Sequence, residues 1–121
     1  MTIQETTSST QRSCDGSTLA IEECLATIRD DLDATRADVL RRLMATPPPL
    51  GGGEGDPPSM ARAWQATDDA FQAYRDSACG AAYLAEAGGT IRGPIGISCE
   101  IDLTEQHIRF LQTELASAGG S

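Results

Sequence analysis

Between residues 18 and 44 the apolar residues Ile21, Leu25, Ile28, Leu32, Val39 and Leu43 recur at intervals of three, four and seven. At helical periodicity they form one stripe, with Asp30, Asp33, Arg36 and Asp38 largely outside it, so the pattern predicts an amphipathic helix from Thr18 to about Met44. Thr18 is a suitable N-cap, and Glu22 with Glu23 places negative charge near the positive end of the helix dipole. The stretch PPPLGGGEGDPPS, residues 47–59, ends the periodicity, because proline removes backbone donors and glycine resists ordering; it reads as a loop. A second helix is predicted to start near Pro57 to Ser59, where proline is tolerated in a first turn, and to pass through Trp64, Phe71, Tyr74 and Ala78 toward Ala87. Gly88-Gly89 then stops it. Residues 90–98, TIRGPIGIS, read as an irregular connection. Asp102 with Glu105 three residues later resembles a capping box, opening a third helix that buries Leu103, Ile108, Leu111 and Leu115. The fold class expected is all-α: a long antiparallel helical hairpin with a third, shorter helix against it.

The 121 residues suffice for one domain, able to bury roughly two-thirds of its unfolded surface. We place that domain at residues 14–118, with a Ser/Thr-rich, disordered leader at 1–13 and a fraying tail at 119–121. Its core has to be aliphatic, since the aromatic residues are only Trp64, Phe71, Tyr74, Tyr83 and Phe110. The balance of 18 acidic and 9 basic side chains, all of the latter arginine, gives a net charge of -9. Such a surface is a poor partner for nucleic acid or an anionic membrane; it serves solubility, and it would steer a basic protein toward itself.

The four cysteines, Cys14, Cys24, Cys79 and Cys99, are an even number in a short chain with a limited core, which points to two disulfides and an oxidising compartment. Zinc is disfavoured, because no Cys-x-x-Cys pair exists and the chain has a single histidine, His107. No apolar run approaches the roughly 18 residues of a membrane span. The opening MTIQETTSSTQRS lacks the hydrophobic segment of a signal peptide, so a periplasmic or secreted location is inferred from cysteine usage, with the signal taken as already removed. In an antiparallel hairpin Cys24 and Cys79 both lie on the order of 30 Å from the Pro/Gly loop. Cys14 and Cys99 belong to that same end. Geometry leaves the connectivity open: we favour Cys14 with Cys24 and Cys79 with Cys99, each bond contributing about 3 kcal/mol in the chain-entropy model, and the alternative is Cys24 with Cys79 and Cys14 with Cys99.

Candidate chemistry is sparse. Arg75 and Asp76, beside Cys79, form the charged pair of greatest interest: the guanidinium can cap a helix end, tie down the 90–98 connection or, with Tyr74, touch a partner. His107 stands alone, with no serine or cysteine motif attached. Asp30, Asp31, Asp33 and Asp38 read as a solvated face and not as a paired acid and base. Gly51-Gly52-Gly53 lacks the strand, lysine and helix of a phosphate loop. Trp64 falls in register with Phe71 and Ala78 at seven-residue spacing and is assigned to the core. No catalytic, cofactor-binding or metal-binding residues are assigned, and no cofactor is expected.

Phe71, Tyr74-Arg75-Asp76 and Cys79, then Gly88-Gly89-Thr90, Cys99, Thr104 and Leu111, preceded by Cys14, Thr18, Cys24 and Asp33, resemble the lysozyme-inhibitor LprI-like domain family over about residues 14 to 115. Departures from the family pattern are Phe71 in place of its usual Trp, Arg36, Ala37 and Leu40 where Leu-Asn and Tyr follow its first-helix Asp, and His107 in place of an Arg. The resemblance implies a secreted, periplasmic or lipid-anchored helical domain with cystine bridges, non-enzymatic, whose named members inhibit lysozyme. The partner expected is therefore a protein, basic and lysozyme-like. The competing reading is a structural, assembly or immunity-type partner of another secreted or periplasmic protein.

Overall fold

Ser17, and not Thr18, opens the first helix: its Oγ accepts a hydrogen bond from the Ala20 amide at 3.1 Å, satisfying one of the donors a helix start leaves unpaired. The computed structural model describes residues 14–47, 56–86, 88–89 and 91–119. Within them are α1 (Thr18–Ala45), α2 (Pro57–Ala85) and α3 (Arg92–Ser117). Asp56 caps α2, its carboxylate accepting from the Ser59 amide at 2.8 Å with prolines in the first two helical positions. The leader at 1–13 and most of the expected 47–59 loop lie outside the described residues.

The expected irregular connection at 90–98 is helix from Arg92 onward, which corrects the reading of that segment. Pro94 sits in the first turn, where its missing N–H is no loss. The two glycines that weaken helix propensity there both face neighbouring helices. A methyl group at Gly93 would displace the Glu22 carboxylate, and one at Gly96 would lie in contact with the Tyr83 Cβ at 3.4 Å. Tertiary contact thus overrides local propensity, and Asp102 with Glu105 lies inside α3 and opens nothing. Cys99 accordingly falls within the helix, and α3, at 26 residues against 28 and 29, is only slightly the shortest.

Directions follow from paired side chains. Asp33 and Arg36 of α1 meet Arg75 and Asp68 of α2 in reverse order, and Thr104 and His107 of α3 again meet Arg75 and Asp68 in reverse order. So α2 is antiparallel to both others, and α1 and α3 run parallel and share the most extensive contact. The apolar core lies mainly between these two. One cluster joins Leu25, Ile28 and Leu32 to Ile101 and Ile108. The other joins Val39, Leu40 and Leu43 to Leu111 and Leu115. Ile101, Ile108 and Leu111 are fully buried, each contributing on the order of 2 kcal/mol.

Helix α2 adds little to either cluster. Trp64 packs half-buried against the second, edge-on to Phe110 at 6.1 Å, and the buried residues of α2 are Asp68, Arg75 and Cys79. Cys14–Cys24 pins the chain before α1 onto that helix, and Cys79–Cys99 ties α2 to α3, with Cα separations of 5.6 and 5.4 Å. The all-helical class, the two bridges and the favoured connectivity are those anticipated from the sequence.

Candidate functional site

The middle of the bundle is a layer of charge between the two apolar clusters. Asp68, only 1% exposed, is its hub. It accepts a close hydrogen bond from Arg36 Nη1 across the α1–α2 contact, one from Gln72 Nε2 at 3.0 Å on its own helix, and one from His107 Nε2 at 3.1 Å on α3. Because a carboxylate only accepts, this bond fixes the proton of a neutral His107 on Nε2. A second ion pair lies beside the first: Arg75 Nη1 donates to Asp33 Oδ1 at 2.7 Å and to Thr104 Oγ1 at 3.1 Å, and Asp33 also accepts from Arg36 Nε at 3.1 Å.

Aromatic rings close the layer. His107 stacks on Phe71 with centroids 4.0 Å apart and planes inclined by 5°. The Arg75 guanidinium lies 5.5 Å from the Phe71 centroid, a cation–π distance. Every helix therefore contributes a charged or polar group that another helix satisfies, as buried charge requires.

Sequence-based expectations fare unevenly here. Arg75 neither caps a helix end nor ties the α2–α3 connection; it faces α1 and α3. Its neighbours on α2 point outward: Tyr74 is 61% exposed, and the exposed Asp76 lies 3.7 Å from Arg75 Nε. Asp33 and Arg36 are not on a solvated face, although Asp30, Asp31 and Asp38 are. Among the described residues no group of three or more His, Cys, Asp or Glu side chains could hold a metal ion.

Burial pushes the His107 pKa below its ordinary 6.5, opposed by the bond to Asp68 and reinforced by the positive fields of Arg36 and Arg75. Burial also works against the charge on Arg36, but its bonds to Asp68 and Asp33 and their negative fields outweigh it and raise its pKa. The linkage sign follows for His107: the unfolded chain binds the proton near 6.5, the folded chain only at lower pH. Stability is therefore flat in this group at neutral pH and falls as pH drops below the unfolded value, until the depressed folded value is passed. The urea midpoint should be lower at about pH 5 than at about pH 7.5, and His107→Gln should remove part of that difference. An unchanged difference in the variant would assign the slope to other groups.

The model of the family described as Lysozyme inhibitor LprI matches residues 8–111, most of the chain. The chain belongs to the lysozyme inhibitor LprI family. No curated protein and no solved structure matches it. In this LprI chain the residues that carry the family likeness build the frame: Asp33, Phe71, Arg75 and Thr104 meet in the charged layer, and the four cysteines form the two bridges. His107, a departure from the family pattern, occupies the same layer and bonds Asp68.

The hub itself escaped the sequence reading, yet a signal for it exists. On α1 the apolar stripe skips from Leu32 to Val39, and the stripe position between them is Arg36. On α2 the seven-residue spacing of Trp64, Phe71 and Ala78 skips positions 68 and 75, which are Asp68 and Arg75. A charge that fills a missing beat of an apolar stripe points inward.

Proposed function

We propose that this chain is a non-catalytic protein-binding domain of the cell envelope that inhibits a lysozyme-type muramidase by occluding its cleft, from a periplasmic or secreted location. The match to the lysozyme inhibitor LprI family over residues 8–111 carries this reading. Two features support it. The net charge of -9 complements the strongly basic surface typical of lysozymes, and a bundle braced by two disulfides loses little freedom on binding. Among the described residues no helix is long and apolar enough to cross a membrane. Of the three α2 residues Tyr74, Arg75 and Asp76, the exposed Tyr74 and Asp76 present side chains a partner can reach, and Arg75 is buried.

The test is the clearing of a cell-wall suspension by a c-type lysozyme. Clearing should slow in proportion to added inhibitor up to equimolar, and the complex seen by calorimetry at low salt should weaken as salt is raised. Undiminished lysis in molar excess, with no binding heat at low salt, would sink the muramidase assignment.

A further inference from the structure

We propose that the groove between α2 and the first turns of α3 is the docking face for a partner protein, and that it receives a basic side chain, arginine or lysine, from that partner. The proposal rests on the protein-binding reading above and adds a location and a chemistry to it.

The groove is a product of small residues. Gly96 of α3 faces Tyr83 of α2, where an added Cβ would lie 3.4 Å from the Tyr83 Cβ, and Gly93 makes room for the Glu22 carboxylate of α1. On the opposite wall Gly80 leaves the space open, since a Cβ added there would meet nothing within 4 Å. The result is an open cleft of ≈ 550 Å³ with an apolar floor beside the Cys79–Cys99 bridge, within the size range of sites that take one long side chain.

Its lining carries three carboxylates, Glu22, Asp76 and Glu100, one from each helix, while the Arg92 guanidinium stacks 5.0 Å from the centroid of the lining Tyr83 ring. Arg29 neutralises Glu100 at 3.1 Å, and Arg75 reaches Asp76 only at 3.7 Å. Glu22 has no ion pair or hydrogen bond among the described residues. Negative charge gathered beside an apolar floor raises the local concentration of cationic groups. The other clefts lack this character: the one between α1 and α2 carries Arg36 and Arg41, and the one near Trp64, at ≈ 170 Å³, is smaller.

A protein, and not a small cation, fits the surroundings. Leu19 near the start of α1, Leu84 near the end of α2 and Ile91 just before α3 are 64%, 68% and 55% exposed at the same pole. Large exposed aliphatic side chains at the same end of the bundle as a charged cleft suit the apolar part of a protein contact, with the cleft supplying the anchor.

The test uses the full-length, oxidised protein labelled with ¹⁵N, titrated separately with a hexa-arginine peptide and with a c-type lysozyme. Gly80→Leu adds bulk to the groove from a position where a Cβ meets nothing within 4 Å, and the pair Glu22→Gln with Asp76→Asn removes charge at nearly constant shape. The neutralised pair should keep the unfolding midpoint of the parent, and Gly80→Leu, which replaces a helical glycine, should keep or raise it. With the parent protein, amide shifts should centre on residues 79–83 and 93–97 for either probe. Gly80→Leu should weaken binding about tenfold, as loss of an interface anchor does, and the neutralised pair should bind more weakly with a flatter salt dependence. Parent-like affinity in both variants, or shifts centred elsewhere, would overturn the groove. Lysozyme binding unaffected by the variants would spare the inhibitor reading and refute the groove. Peptide binding in the groove without a lysozyme complex would do the reverse.

Discussion

Replacing Asp68 with alanine is expected to cost about 4 kcal/mol of folding stability, the usual penalty for stripping the partner from a buried charge. The carboxylate is the shared acceptor of Arg36, Gln72 and His107, one from each helix. Without it the Arg36 guanidinium keeps its charge in the interior, with Asp33 as its remaining carboxylate. Asp68→Asn retains shape and an acceptor oxygen and should fall between the parent and alanine. Urea unfolding followed by circular dichroism, disulfides intact, measures all three. Since single domains hold only about 5–15 kcal/mol in total, the alanine variant will be close to its folding limit. A loss under about 0.5 kcal/mol, the range of ordinary surface substitutions, would mean the charged layer does not hold the helices together.

Removing the Cys79–Cys99 bridge by paired alanine substitution should cost about 3 kcal/mol. The bond closes a sequence separation of 20 residues, against 10 for Cys14–Cys24. In the chain-entropy model that doubling alone is worth about 0.6 kcal/mol. The structural difference adds to it, because Cys79–Cys99 joins two helices whereas Cys14–Cys24 pins the segment before α1. Paired variants of each bridge, compared by thermal unfolding, should rank in that order, and the reverse ranking would show that the α2 attachment does not depend on its bridge.

Much of this was legible in the chain. The apolar stripe of α1, the Pro/Gly interruption and the even cysteine count define a disulfide-braced helical hairpin, because each rests on local rules of periodicity and backbone chemistry. Two things were not. The start of α3 was hidden because Gly93, Pro94 and Gly96 discourage a helix in isolation, and the helix forms there packed against Glu22 and Tyr83. The charged layer was hidden because Arg36, Asp68 and Arg75 carry the composition of a surface; their burial is affordable only where all three helices bring complementary groups to one level.

That layer also separates frame from function. Several of the residues by which the chain resembles its family, Asp33, Arg75 and Thr104, meet in this layer, and fixing how helices register is the role for which buried charge is best known. The exposed Tyr74 and Asp76 and the groove beside Cys79 lie on the surface around them.

Helix α2 is fastened to an apolar α1–α3 pair by charge and one covalent bond, with little apolar burial of its own. Native-state hydrogen exchange, read helix by helix, tests this most directly. Amides of α2 between Trp64 and Arg75 should open at a lower free energy than those of α1 from Leu25 to Leu32 and of α3 from Ile101 to Leu111. Equal opening energies in all three helices, matching global unfolding, would contradict it.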